Sequence, residues 1–423
     1  MGAQIKNIVL HKSVTLYVVD TFRRKGFACY RRKVYILLSI LMKIWLMAED
    51  KNIRVCQVLH GIVGGGSEQV ILNYCSRMRD IHFDLLYQYE PNPQILERFN
   101  EAGINCIQIP DKVHHPFKHV WTMYKIFRQG KYDVVHCHLD WFLNSYVCFI
   151  AMLAGVKKRI AHHHQAYTSD CHPGLRAGIS LSFKKVLCSI LRIPCKLFAT
   201  HWLACGEAAA INGWGESAVK KGKVTILPNA IDPERFKFSE IARREIRVKY
   251  GIAEDDFVVG HVGRFFPEKN HKFIIELFSE YSQMHGKCKL LSVGDGPLLT
   301  EIQKLVKQKH LDAKVVFAGL QKDVVGFYSA MDVLLLPSTR EAFPMTLVEA
   351  QYNGLPCVVS AAVPRETSIT DNVFPLQIDD VKPWCEKLSS LNEGANRENP
   401  QIKSERFDVR KCYRMLESLY QIP

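Results

Sequence analysis

At 423 residues the chain is too long for one ordinary hydrophobic core, so two domains are the default expectation. Apolar residues make up 48% of it and recur in regular segments, which excludes a disordered chain. A formal net charge of +14 calls for an anionic partner; no aromatic-plus-basic RNA-binding signature, zinc-finger spacing or basic heptad region accompanies it, so nucleic acid is not the expected partner.

The first fifty residues differ from the rest. Arg23, Arg24, Lys25, Arg31, Arg32 and Lys33 precede a run from Val34 to Met47 that is apolar apart from Lys43. The run is short for a bilayer span and lacks a small-residue cleavage site. It reads either as a basic interfacial anchor or as an extension upstream of a start at Met47, and the pattern leaves both open. A compact pattern begins at Ile53. Ile53–Leu59 reads as a buried strand, Gly64-Gly65-Gly66 as a loop, and Ser67 as the cap of a helix whose apolar face carries Val70, Ile71, Tyr74, Cys75 and Met78. Strands follow at Phe83–Tyr87, Asp133–Cys137 and Lys158–His162, with an apolar helix over Trp141–Leu153.

The alternation restarts in the second half. Strands are expected at Phe257–Val262, Lys289–Val293, Val315–Phe317 and Val333–Leu336, with Pro356–Val359 closing the series. Helices are expected near Phe238–Lys249, from about His271, and at Val409–Tyr420, the last packing back across the domain boundary. Strands alternating with helices predict parallel βαβ units, hence two doubly wound α/β domains that meet between about Lys223 and Arg243. The cysteines lie inside apolar runs, as at Cys75, Cys148 and Cys357, without a Cys-x-x-Cys pair; they read as reduced, buried thiols of a cytoplasmic protein.

Parallel α/β sheets bind ligands beyond the C-terminal ends of their strands, and each candidate motif falls there. In Gly263-Arg264-Phe265-Phe266-Pro267-Glu268-Lys269-Asn270, Arg264 offers a planar fork and Lys269 a point charge for phosphate oxygens, enough to neutralise a leaving diphosphate without a metal. Gly294-Asp295-Gly296-Pro297 lets the backbone approach a ligand. Gly65, Gly66 and Ser67 can present amides to a phosphate or an acceptor, or simply start a helix. In Glu341-Ala342-Phe343-Pro344-Met345-Thr346-Leu347-Val348-Glu349, Phe343-Pro344 opens a helix, and the amides around Met345, Thr346 and Leu347 suit a phosphate. Glu349 sits in an apolar stretch, where a carboxylate is costly without a partner. Two carboxylates beside a positive pair suggest binding of a nucleotide-sugar and transfer of its sugar. His136 and His138 would share one strand face, near His162, His163 and His164. With Cys137, Cys171 and His172 they invite a zinc assignment, but the spacing is not that of a zinc site, so no metal is expected. A cleft histidine bonding a sugar hydroxyl or moving a proton fits better.

Taken together, Gly263-Arg264…Lys269-Asn270, Val293-Gly294-Asp295-Gly296-Pro297, Pro337-Ser338 and Glu341-x7-Glu349 resemble the retaining glycosyltransferases of family 4. In the first half, Gly65-Gly66-Ser67-Glu68 and Arg159-Ile160-Ala161-His162-His163-His164-Gln165 add to the likeness, with Pro228-Asn229-Ala230-Ile231-Asp232 and Phe236 at the inter-domain connection. The EpsF-like branch of bacterial capsular and exopolysaccharide enzymes is the most similar, over roughly Ile53 to Tyr420. The resemblance implies a GT-B fold, two Rossmann-like domains facing across a cleft. It divides the chain into an N-terminal extension (1–50), an acceptor-binding domain (51–225), a nucleotide-sugar-binding domain (226–405) and a C-terminal helix near the boundary (406–423).

It further implies that Arg264 and Lys269 bind the donor diphosphate, that Glu349 holds the ribose hydroxyls and Glu341 the sugar, and that amides from Phe343 to Thr346 contact the distal phosphate or the sugar. Gly294 would line the donor site, Leu320 would lie at the base, and His164 near the reaction centre. No cofactor or catalytic metal is implied, and the donor carrier would be UDP by family frequency, with GDP open. The acceptor would be a lipid-linked saccharide reached from the inner, anionic membrane face, which the positive charge fits. Front-face attack would give retention. Ala342 stands where the family commonly has glycine, and His163 and Gln165 also depart from the branch's pattern. A non-catalytic partner of another transferase and a nucleotide-sugar epimerase are the alternatives. The glycine loops lack the Gly-x-Gly-x-x-Gly opening of a dinucleotide oxidoreductase.

Overall fold

A computed structural model describes residues 53–139, 141–164, 192–341, 343–392, 397 and 400–421. The basic and apolar N-terminal run, Gln165, Cys171, His172 and Ala342 lie outside these described residues.

Two parallel sheets organise the chain. The first has seven strands in the order β3-β2-β1-β4-β5-β6-β7: β1 (Ile53–Val58), β2 (Ile81–Tyr87), β3 (Asn105–Gln108), β4 (Val134–Cys137), β5 (Lys158–His163), β6 (His201–Ala204) and β7 (Thr225–Ile226). The second has six in the order β10-β9-β8-β11-β12-β13: β8 (Phe257–Val262), β9 (Cys288–Val293), β10 (Val315–Gly319), β11 (Val333–Leu336), β12 (Cys357–Ser360) and β13 (Val373–Leu376). In each sheet the order reverses beside the first strand, at β1/β4 and at β8/β11, and a doubly wound sheet opens its ligand crevice at such a switch point. The central strands are buried because helices cover both faces: every residue of β4, β8 and β11 is buried, His136 and His261 included. The series does not close at Val359, as expected from the sequence; β13 pairs beyond β12, and its exposed, proline-containing pattern hid it.

The helices that position the site are α1 (Gly66–Cys75), α2 (Pro93–Glu101), α3 (Pro116–Gly130), α4 (Trp141–Leu153), α5 (Glu240–Lys249), α6 (His271–Met284), α7 (Leu299–Gln308), α8 (Met345–Tyr352) and α9 (Val409–Tyr420). Helix α5 starts where Ser239 Oγ accepts from the Ala242 amide at 3.2 Å, and it is pinned by Arg243 and Arg247, each 2.7 Å from an oxygen of Asp332.

The end of the chain returns to the first sheet. The amide of Ile231 donates to the Phe407 carbonyl (2.9 Å) and that of Val409 to the Ile231 carbonyl (2.8 Å), after which α9 packs against α1. Tyr420, fully buried, meets Phe83 edge-on at 6.0 Å, and Lys158 donates to the carbonyls of Leu419 and Gln421. The described cysteines are free thiols, most of them buried, and no described helix is long and apolar enough to cross a membrane.

Candidate active site

The loop after β8 and the loop after β9 are stitched edge to edge. The Phe265 amide donates to the Asp295 carbonyl (2.9 Å) and the Leu298 amide to the Phe265 carbonyl (3.1 Å). Glycine is required for this approach. Gly294 has φ 140°, and a Cβ there would lie 2.0 Å from the Gly263 carbonyl oxygen; at Gly296 (φ 155°) it would meet the Phe265 backbone at 2.8 Å. The stitched loops present Arg264 at the surface, its guanidinium 4.8 Å from the Phe266 ring centre. Lys269 points instead to Glu341, whose Oε1 lies 2.5 Å from its Nζ and accepts from Ser338 Oγ at 2.7 Å. Glu341 therefore already has a cation and a hydroxyl beside it.

Pro344 caps α8, and the Leu347 amide donates to its carbonyl at 3.1 Å. The sequence reading had offered Leu347 to a phosphate; the helix start takes that donor, and Pro344 has none. Met345 and Thr346 lie in the first turn of α8, where amides have no intrahelical partner, and the Thr346 hydroxyl oxygen is buried with no partner among the described residues. Phe343 is buried edge-on against Phe407, 5.0 Å between centres, which ties this loop to the segment entering α9. Glu349, on the second turn of α8, is buried and accepts from Tyr328 OH at 2.5 Å. Burial pushes its carboxyl up to about 7, against the Tyr328 hydroxyl and the positive charges of Arg235 and Arg98. Arg98 belongs to α2, so a residue of the first half acts on a carboxylate of the second. Leu320 is partly exposed just beyond Gly319 at the end of β10.

In the first half the glycine loop is tied down by a residue that the sequence reading quoted without a role. Glu68 is buried; Val63 donates its amide to Oε1 at 2.8 Å, and the Gly65 amide donates to Oε2. Burial raises this carboxyl, while the Val63, Gly65 and Gly64 amides and the charge of Arg264 across the cleft pull it back. Ser67 is not the helix cap: α1 begins at Gly66 with Gly65 as its cap, and the Glu68 carboxylate at N3 reaches back to the Gly65 amide. One of the three amides offered to a ligand, that of Gly65, is thus already bonded within the loop.

The histidines converge as the strand pattern requires. The rings of His136 and His138 lie 4.1 Å apart, tilted by 31°, on β4 and its end, and those of His162 and His164 lie 4.0 Å apart, tilted by 39°, on β5 and its end. Burial drives His136, His138 and His162 well below the usual histidine range and His164 down to about 4, so these rings are neutral near pH 7. Ring nitrogens of His136, His138 and His162 lie within 4.8 Å of one another, close enough to consider a metal. Both nitrogens of His138 are already engaged, one 2.8 Å from His164 Nε2 and the other 2.8 Å from Gln57 Oε1. Gln57, Tyr328 and Tyr420 were missed from the sequence: they are polar residues in apolar runs, and only long-range contacts give them meaning. Arg340 was also missed; its Nη1 is buried without a partner among the described residues, directly before Glu341.

With this geometry in place, the chain can be set beside known proteins. The family model described as Glycosyltransferase Family 4 matches residues 64–235, and that described as Glycosyl transferases group 1 matches residues 242–402. The putative glycosyltransferase EpsF of Bacillus subtilis is 31% identical over 315 residues, 73% of this chain and 79% of its own. An Escherichia coli UDP-Gal:alpha-D-GlcNAc-diphosphoundecaprenol alpha-1,3-galactosyltransferase is 27% identical over 287 residues, 65% of this chain and 70% of its own. Among solved structures, Anabaena Alr3699/HepE in complex with UDP-glucose superposes with a TM-score of 0.71 at 17% identity, over 86% of this chain and 98% of its own. WaaG, a glycosyltransferase involved in lipopolysaccharide biosynthesis, gives 0.61 at 17% identity, again over 86% and 98%. Doubly wound twin sheets, matching family models over both halves and a relative of this identity and span lead to one conclusion: the chain belongs to family 4 of the glycosyltransferases and has their GT-B fold.

Proposed function

We propose that this glycosyltransferase moves a sugar from a UDP-sugar to a lipid-linked saccharide, with retention, in the assembly of a capsular or exopolysaccharide. The observation that carries the donor half is the contrast between two carboxylates around one short helix. Glu341 is paired with Lys269 near the strand ends, and Glu349 is buried beside Tyr328 further along α8. A nucleotide-sugar lying along α8 would find a diol acceptor at Glu349 and a sugar-hydroxyl acceptor at Glu341. Between them, the Met345 and Thr346 amides face the phosphates, with Arg264 and Lys269 opposite the leaving diphosphate. The E. coli relative's name specifies a UDP-sugar and a diphosphoundecaprenol-linked acceptor, and the Anabaena neighbour was crystallised with UDP-glucose.

In the proposed reaction the acceptor hydroxyl oxygen bonds to the anomeric carbon as the bond from that carbon to the phosphate oxygen breaks. The departing diphosphate takes the acceptor proton on the same face, so configuration is retained without an enzyme nucleophile. Arg264, Lys269 and the helix amides stabilise the charge that develops on the diphosphate, which removes the need for a metal. His164, near the reaction centre, bonds a sugar hydroxyl, and Gly65, Gly66 and Ser67 border the acceptor.

For the approach to a lipid-linked acceptor, α3 supplies a surface. Phe117 is 91% and Trp121 57% exposed, interleaved with Lys118 and Lys125, the last 5.3 Å over the Trp121 ring. An anionic lipid surface matches that mixture of aromatic and basic side chains. Mass-spectrometric product analysis with a panel of UDP- and GDP-sugars and a polyprenyl-diphosphate-linked saccharide tests the function. Transfer from a UDP-sugar, undiminished by EDTA, with turnover lost in Glu341→Gln, is expected. Epimerised donor with no acceptor consumed would overturn it.

A further inference from the structure

A buried chain of hydrogen bonds runs from the cleft to the last helix. His164 Nε2 lies 2.8 Å from His138 Nδ1, and His138 Nε2 lies 2.8 Å from Gln57 Oε1. Gln57 Nε2 donates to Tyr420 OH at 2.8 Å, and that hydroxyl lies 2.7 Å from His136 Nδ1. Gln57, His136 and Tyr420 are almost fully enclosed and His138 nearly so. We infer that His138, Gln57 and Tyr420 are positioning residues that fix which ring nitrogen of His164 carries its proton.

The logic follows from donor and acceptor counts. The Gln57 amide nitrogen donates to Tyr420 OH and, at 3.6 Å, to Cys75 Sγ, so the amide oxygen is the atom that faces His138, and His138 Nε2 carries a hydrogen. A neutral His138 then has a bare Nδ1, which accepts from His164 Nε2–H. His164 is neutral too, so its Nδ1 keeps a lone pair, beside the Asn229 side chain. At the other end Tyr420 donates to His136 Nδ1. The links alternate in one direction, and reversing one reverses all. Tyr420 thereby connects α9, at the end of the chain, to a cleft residue it does not touch. A metal among His136, His138 and His162 is the competing use of this cluster, but it would need a lone pair on His138, and both its nitrogens are occupied.

The catalytic consequence rests on the placement of His164 at the reaction centre; the tautomer does not, so the two can fail separately. The test is long-range ¹H–¹⁵N imidazole NMR on full-length, ¹⁵N-histidine-labelled protein, with His164→Gln identifying the His164 signals. The wild type should show His164 as the pure Nε2–H form. In Tyr420→Phe the Gln57 amide is released to turn over, and in Gln57→Leu the acceptor is gone. In both, the two His164 nitrogen shifts should move together as the tautomers mix. Turnover should fall about tenfold with donor KM nearly unchanged, less than the roughly hundredfold loss of a positioned proton-transfer group. Unaltered His164 shifts in a folded Tyr420→Phe would overturn the inference. So would stoichiometric zinc retained by the purified protein and lost in His162→Asn. Should Gln57→Leu fail to fold, Tyr420→Phe, which removes a single oxygen, carries the test.

Discussion

Glu349 shows how one buried side chain makes stability depend on pH. Its carboxyl is raised from an ordinary 4.5 to about 7, so the folded chain holds a proton that the unfolded chain releases between those values. The contribution is present below pH 4.5 and lost as the pH rises through about 7. Above neutrality the free protein therefore carries a charged, poorly solvated carboxylate. Glu349→Gln should gain stability relative to wild type on going from pH 5 to pH 8, by up to about 3 kcal/mol in chemical denaturation. A difference independent of pH would show that Glu349 is solvated. Lys269 and Glu341 are each other's partners. Glu341→Gln should leave UDP affinity near wild type while turnover falls by on the order of 10², measured by binding and by initial rates.

Among the elements, the stitched loops after β8 and β9 are the least forgiving. Gly294→Ala would drive a methyl into the Gly263 carbonyl at a positive φ. A cost of at least about 2 kcal/mol is expected, with UDP binding lost, because Arg264 rides on the displaced loop. A variant as stable as wild type in urea would contradict the close approach. At this scale the sequence was informative where strands are mostly apolar: β1, β8, β9 and β11 announce themselves, and Gly263 and Gly294 stand just after β8 and β9. It was silent at β3, whose Asn105–Gln108 is polar, and at β7, which has only two residues. Short edge strands are specified by their neighbours rather than by their own pattern. The donor-side motif was legible because its residues are consecutive. The Gln57–Tyr420 bond, spanning 363 residues, was not, nor was the role of Glu68 in replacing Ser67 as the organiser of its loop.

The whole molecule is held by attachments of unequal strength. Tyr74 OH and Asn73 Nδ2 donate to the carbonyls of Pro228 and Ala230, and the strand-like contact of Ile231 with Phe407 and Val409 brings the chain end home. Across from these, Lys322 reaches Glu97 and Glu101 of α2 only through exposed ion pairs. Such pairs contribute little, so Lys322→Ala should leave the denaturation midpoint unchanged. Phe407→Ala removes a fully buried ring packed on Phe343 and should cost about 3–5 kcal/mol while weakening UDP binding through the loop before α8. Full stability, or full affinity at reduced stability, would separate the packing role from the coupling. The most direct test of the central claim, a metal-independent UDP-sugar site on α8, is calorimetric titration of UDP, with GDP as control and EDTA present, into wild type and Glu349→Ala. The account predicts UDP binding by the wild type, preferred over GDP and at least about tenfold weaker in the variant. Equal affinities in the two proteins, or no nucleotide binding by folded wild type, would contradict it.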